Sequence, residues 1–281
     1  MIKIKSAVAS NVGNVRSNNE DNFFLNGKTL EESIKETLMV EDEVSVGLFA
    51  VCDGMGGEES GEIASAIAVN TLNKFYEKEL EQESSFTEMI NLYSEEANAQ
   101  ICTEIEKNDG KRMGTTFAIL YIKDKVAHAY NIGDSRIYLF RDKKLKQISQ
   151  DHTRIKNLLE MGILTEEKAK THPERHILTQ HLGIFPEEMI IEVFSAEPVT
   201  VMDGDVFLLC SDGLSDMVSD SEIEAIMNHE KNPKDVAEKL IDKALSNGGK
   251  DNVTVIVSEI EEIVGLIKRT LTKYKFISIK E

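Results

Sequence analysis

The sequence has only three cysteines, Cys52, Cys102 and Cys210, and no C-x-x-C pair. A disulfide framework and a zinc knuckle are therefore excluded, and two of the three sit in strand-like apolar runs as small core residues. None of them is followed six residues later by arginine, which rules out a cysteine-nucleophile phosphatase. No apolar run approaches the ~18 residues of a spanning helix, and the opening MIKIKSAVAS lacks the long apolar stretch of a leader. Positive charge is short as well. Lys and Arg number 32 against 50 Asp and Glu, and the net charge of −18 gives neither nucleic acid nor an anionic membrane a basic surface to bind. These absences predict a cytoplasmic protein whose surface favours cations.

At 281 residues and 41% hydrophobic, the chain can bury a sizeable core. Residues 46–52 predict a buried strand. Residues 58–76 predict a helix, with Ile63, Ile67, Leu72 and Phe75 near a 3.6 period, and a second helix follows with Phe86, Ile90, Tyr93, Ala97, Ile101 and Ile105 as its stripe. From 115 to 148, β-branched and aromatic runs alternate with turn-like IKDK, NIGDS and RDKK, which predicts a meander of antiparallel strands. Residues 190–194, 206–210 and 253–258 predict further strands. Asn232-Pro233 opens a last helix and Gly248-Gly249 closes it. Strands and helices are grouped rather than strictly alternating, which favours α+β layers over a doubly wound parallel sheet. Residues 27–45 read as a polar excursion between strands, residues 153–190 as a candidate flap, and residues 263–281 as a basic tail following a catalytic body over 1–262.

Three apolar runs end at a carboxylate. FAVCDGMGG carries Asp53, VFLLCSDG carries Asp212, and KDNVTVIV sets Asp251 just before a strand. A carboxylate at the mouth of a buried strand is costly unless something pairs with it. Asp134 in NIGDSR and Asp216 in SDGLSD add to the set. Any one Asp-Gly is an ordinary turn, but acids at several strand ends share a natural partner in a hard cation. All-oxygen donors select Mg²⁺ or Mn²⁺ over zinc or copper, and two such ions form the standard clamp for hydrolysing a phosphate ester. Competing patterns fail. DGMGG lacks the third glycine of a dinucleotide loop, SNGGKD lacks the first glycine and the Ser or Thr of a P-loop, and Pro173 between His172 and His176 argues against a helical metal pair.

NVRSNNED (14–21), DGMGG (53–57), MGTT (113–116), NIGDSR (131–136), SDGLSD (211–216) and GKDNVTV (249–255) resemble, in order and spacing, the metal-dependent protein phosphatases of the PPM or type 2C family, in their short bacterial form. The resemblance covers roughly residues 3–260. It implies a central β-sandwich of two mainly antiparallel sheets flanked by α-helices, a centre of two Mn²⁺ or Mg²⁺ ions, and phosphoserine or phosphothreonine in proteins as substrate. A water or hydroxide between the ions would attack directly. By position, Asp53 bridges both metals, the Gly54 carbonyl binds one, and Asp212 and Asp251 complete the set. Glu20 and Asp21 match an outer acidic pair, and Arg16 matches the arginine that grips the phosphate, a task suited to a planar, always-charged fork. Asp134 and Asp216 match the ligands of a third metal site seen in some relatives. Met55 stands where some relatives have a histidine proposed as general acid, and it has no proton to give. His152 is a substitute by residue type alone. A cognate Ser/Thr kinase, no nucleic acid, no membrane and a monomeric state complete the expectation. A weakly active signalling protein or a phosphatase of another phosphoester stand as alternatives.

Overall fold

The computed structural model describes residues 1–30, 37–56, 60–79, 86–169 and 172–263. The basic tail, apart from Ile263, lies outside the described residues. The chain opens with β1 (Ile2–Asn11), β2 (Asp21–Leu25), a short β3 (Lys28–Thr29), β4 (Leu38–Val44) and β5 (Gly47–Gly56), followed by helices α1 (Ser60–Glu79) and α2 (Phe86–Lys107). Five strands come next: β6 (Met113–Thr115), β7 (Phe117–Lys123), β8 (Val126–Ile132), β9 (Arg136–Arg141) and β10 (Lys144–Gln147). Short helices α3 (Arg154–Glu160) and α4 (Glu166–Ala169) precede β11 (Phe194–Ser195), β12 (Val199–Thr200) and β13 (Val206–Cys210). The chain continues through α5 (Asp212–Ser215), α6 (Asp220–His229) and α7 (Pro233–Ser246) into β14 (Val253–Glu262).

The strands form two antiparallel sheets. One has the order β10-β9-β13-β14-β1-β4. The other runs β11-β8-β7-β5-β2-β3, with β12 on β8 and β6 on β5. The sheets stack face to face over Phe23, Phe49, Leu120, Phe207 and Ile256. The outer face of the second sheet packs on α1 and α2 through Leu48, Tyr93 and Phe117, and that of the first packs on α7 through Val253, Val255, Val257 and Leu240. This four-layer order explains the apolar runs. Alternate residues of β5 and β14 point to opposite faces, and both faces are buried, so each strand reads as nearly continuous hydrophobicity. The expected sandwich is therefore present, and the meander of 115–148 is β7 to β10. The last helix is capped by Asn232, whose side chain accepts from the Asp235 backbone N–H at 2.9 Å, with Pro233 in its first turn. No described helix is long and apolar enough to cross a membrane.

Three local expectations are corrected. The excursion over 27–45 contains β4, which pairs with β1 as the edge of its sheet. Its Glu41, Asp42 and Glu43 read as loop because an edge strand needs only partial burial. The strand expected over 190–194 shrinks to Phe194–Ser195, with Ile190 79% exposed. In α1 the expected stripe begins wrongly: Ile63 is exposed, and Ala64, Ala68 and Val69 are buried instead. Small residues are needed there because α1 lies against the glycine-rich end of β5.

Candidate metal and phosphate site

The acids come together because the two sheets present their strand ends on one side of the sandwich. Asp21 opens β2 and is in register with Asp53 on β5. Asp212 follows β13, and Asp251 precedes β14, the two neighbouring strands of the other sheet. Asp134 sits in the turn from β8 to β9. One cavity of about 270 Å³ is lined by Arg16, Glu20, Asp53, Gly54, Asp134, Asp212 and Asp251, together with Met55, Thr116 and His176. Asp216, at the end of α5, lines an adjoining cavity of about 380 Å³ that shares Arg16, His176, Asp212 and Asp251 with the first. Asp21 lies behind this wall, 2% exposed.

Hydrogen bonds fix the backbone that carries Asp53 and the turn that carries Asp134. The Asp53 N–H donates to Thr116 Oγ1 at 3.0 Å, and its carbonyl accepts from the Thr116 N–H and the Thr115 hydroxyl, both at 2.9 Å. Thr116 Oγ1 in turn bonds the Ser135 hydroxyl at 2.7 Å, which ties the Asp134 turn to β5. The His152 backbone N–H donates to the Gly133 carbonyl, and His152 Nδ1 accepts from the Gly133 N–H at 3.1 Å, so this imidazole holds the same turn. Neither cavity includes His152, which removes it as a substitute acid. Gly54 has a packing reason for its missing side chain. A Cβ there would stand 2.2 Å from the Gly61 carbonyl oxygen and 2.5 Å from that of Glu20, so β5 could not approach α1. A Cβ on Gly213 would meet the Asn252 carbonyl at 1.9 Å.

The electrostatics are those of an acid cluster short of positive charge. Burial, reinforced by Asp21, Asp212, Asp134 and Asp251, pushes the Asp53 carboxyl far above the usual range. Burial, then Asp134, Asp216 and Asp251, does the same to Asp212. Asp21 is raised to about 7, chiefly by burial, against hydrogen bonds from Ser211 and Thr254. Asp134 is also raised to about 7, by burial and then by Asp151. Burial raises Glu20 too, against the attraction of Arg16. Arg16 is half-exposed and pairs with Asp251, Nη2 to Oδ2 at 2.7 Å.

Hard cations fit this set. Asp21 Oδ2 accepts from the Ser211 hydroxyl at 2.7 Å, but its Oδ1 is buried with no hydrogen-bond partner. An orphaned buried carboxylate oxygen beside carboxylates that resist ionisation asks for positive charge from outside the chain. The donors are all oxygen, which suits Mg²⁺ or Mn²⁺.

Two residues with clear places here escaped the sequence reading. His176 stands 3.4 Å from Asp216 Oδ2 and 3.9 Å from Asp212 Oδ2 through Nδ1, and the three side chains offer ligand atoms within 4.8 Å of one another. Pro173 argued only against a helical pairing with His172. It said nothing of a loop delivering His176 alone. The loop is anchored on its return: Leu182 bridges to Thr115, and the buried Asn98 side chain bonds the N–H of Gly183 and Ile184 and the Ile184 carbonyl. The other is Asn252. Its Oδ1 accepts from the Glu20 N–H at 2.8 Å, and its Nδ2 donates to the carbonyls of Val12 and Asn18. It thereby fastens the segment carrying Arg16 and Glu20 to the segment carrying Asp251. Its signal was present in GKDNVTV, directly after the acid.

Comparison with known proteins gives concordant findings. The sequence profile described as protein phosphatase 2C matches residues 35–247. The chain is 34% identical over 251 residues to the serine/threonine phosphatase stp of Listeria welshimeri, covering 88% of this chain and 92% of that one. It is 33% identical over 261 residues to the protein phosphatase PhpP of Streptococcus pneumoniae, covering 91% and 97%. Among solved structures, the S. agalactiae serine/threonine phosphatase superposes with a TM-score of 0.79 at 29% identity, covering 92% of this chain and 100% of that one. The catalytic domain of the serine/threonine protein phosphatase PstP, solved with two manganese ions, superposes at 0.76 and 30% identity, covering 93% and 100%.

Proposed function

Since this chain belongs to the protein phosphatase 2C family, we propose that it hydrolyses phosphoserine and phosphothreonine in proteins, in a reaction that depends on two manganese or magnesium ions. The observation that carries this reading is the meeting of Asp53, Asp134, Asp212 and Asp251 around one cavity with Arg16 at its wall. When bound, such ions supply a strong nucleophile from water at neutral pH and neutralise charge on the phosphoryl group. Asp53, the Gly54 carbonyl, Asp212 and Asp251 would hold them. Glu20 and Asp21 form the outer acidic pair, and Asp134 and Asp216 are the proposed ligands of a third ion.

The chain's own contribution is orientation and charge. Arg16 would exchange its carboxylate partner for the phosphoryl oxygens, which a planar guanidinium grips with two parallel hydrogen bonds. Half-exposed, it can make that exchange at small cost, because a surface ion pair is weak. The hydrogen bonds of Thr116 and Asn252 hold Asp53 and the Arg16 segment in place before substrate arrives, which is where preorganised sites gain their rate. With Met55 inert, His176 is the imidazole lining the cavity, and so the side chain at hand to carry a proton there. A Ser/Thr kinase as the opposing enzyme, and a monomeric cytoplasmic protein, belong to the same proposal.

The test is turnover of p-nitrophenyl phosphate and of a phosphothreonine peptide, each with Mn²⁺ and with EDTA. Hydrolysis of both with Mn²⁺ alone is expected. Hydrolysis of p-nitrophenyl phosphate without the peptide would reassign the protein to small phosphoesters, and no turnover of either would leave a binding protein. Arg16→Ala is expected to raise KM for the phosphopeptide about tenfold, the worth of one charge-assisted contact, with a smaller change in kcat. Weakened Mn²⁺ affinity at unchanged KM would instead make Arg16 a support for Asp251.

A further inference from the structure

The cavity of about 380 Å³ beside the acid cluster differs from it in charge. Beyond the shared Arg16, His176, Asp212 and Asp251, its wall brings in two cations, Arg175 and Lys250, and one carboxylate, Asp216. Lys250 is exposed and makes no ion pair with any described residue. Arg175 reaches its nearest carboxylate, Asp216, at 3.7 Å, too long for a hydrogen bond and weak at a surface. Under the function proposed above, Asp212, Asp216 and Asp251 are all taken up by cations, which leaves Arg175 and Lys250 with no carboxylate of their own. That leaves the cavity with surplus positive charge, in a chain whose net charge is −18. Free cations at a substrate-sized hollow, next to the place where phosphate would sit, favour an anion.

We propose that this second cavity is an anion subsite, with Lys250 as its contact and Arg175 beside it, which takes a second acidic group of the phosphoprotein substrate. The group is a phosphoryl or a carboxylate. In an extended peptide, residues two apart lie on one side and roughly 6.5–7 Å from each other, which suits two cavities with a common wall. The subsite would make the enzyme prefer phosphoresidues whose neighbour two positions away is acidic. The inference rests on the phosphatase reading, and the experiment separates the two.

The probes are phosphothreonine peptides with alanine, glutamate or a non-hydrolysable phosphonate at either position two residues from the phosphothreonine. In wild-type protein with Mn²⁺, kcat/KM is expected to rise about tenfold from alanine to the anionic residue on one side, as charge-assisted contacts would give. Glutamate equal to phosphonate would mean that charge alone is read, and phosphonate alone would mean a phosphoryl pocket. Lys250→Glu should reduce the preference to within about twofold and Lys250→Arg should keep it. Binding of the same peptides with the phosphothreonine also replaced by a phosphonate, followed by fluorescence anisotropy, should show the same ranking without turnover. Equal kcat/KM for all peptides in wild type, or a preference that survives Lys250→Glu, overturns the subsite and leaves the phosphatase standing. No hydrolysis of any peptide overturns both.

Discussion

Replacing Asp53 by asparagine is expected to lower Mn²⁺-dependent turnover at least about a thousandfold while making the metal-free protein more stable. The two effects have one cause. Asp53 is raised far above the normal carboxyl range by burial and by four neighbouring aspartates, so in the metal-free fold its ionised form is a cost. Asparagine keeps the shape and the backbone bonds to Thr115 and Thr116 and removes the charge. The same residue is then the worst loss for cation binding and a relief for the empty fold. Asp212→Asn should behave alike, for the same reason.

Asp205 marks the contrast. It is 2% exposed, but Arg141 grips both its oxygens at 2.7 and 2.6 Å, and the Met202 N–H adds a third bond at 2.7 Å. Asp205→Asn removes the buried charge and leaves the partly exposed Arg141 without its carboxylate, which should cost stability, roughly 1.5–3 kcal/mol for hydrogen bonds to a charged group. Thermal unfolding in EDTA reads the difference directly. A fall in stability for Asp53→Asn matching that of Asp205→Asn would make Asp53 a structural acid and remove it from the proposed site.

Much of this site was legible because its residues mark the ends of strong strands. FAVCD and VFLLCSD show their acids at the edge of buried runs, and the order of six short motifs survives any uncertainty about boundaries. What was hidden depends on contacts distant in sequence. β4 is recognised only by its pairing with β1, since LMVEDEV carries as many acids as a loop would. The apolar run at 190–194 read as a strand, yet Ile191 and Val193 use their side chains to pack on the core without a ladder partner along most of the run. His176 reaches the acids only because Asn98 and Thr115 anchor the chain that follows it. Gly54 shows a second reason that only the fold reveals: a Cβ there would meet the backbone of Gly61, a contact between β5 and α1 that no local pattern announces.

The acid cluster also fixes how stability should depend on pH and on metal. Asp21 and Asp134 have folded values near 7 against an unfolded value near 4, and Asp53 and Asp212 are also raised well above the ordinary carboxyl range. A group raised in the folded state takes up a proton that the unfolded chain does not, so metal-free stability must increase as pH falls from above the folded value toward the unfolded one. Two half-buried histidines work the other way. His128 and His152 are held below their ordinary value by burial, and they begin to destabilise the fold once pH drops under the unfolded histidine range. The carboxylate effect is therefore isolated between roughly pH 8.5 and pH 6.5, above most of the histidine titration. In EDTA, the unfolding temperature is expected to rise by several degrees from the upper to the lower pH. Saturating Mn²⁺ should shrink that rise. Cations need the carboxylates ionised and compete with protons, so the Mn²⁺ gain should be largest at the higher pH, about 2.7 kcal/mol at a hundredfold excess over Kd, and shrink by half or more at the lower one. A metal-free protein that loses stability over the same fall in pH would mean that these carboxylates are already paired within the chain, and a Mn²⁺ gain independent of pH would mean that the ions bind elsewhere.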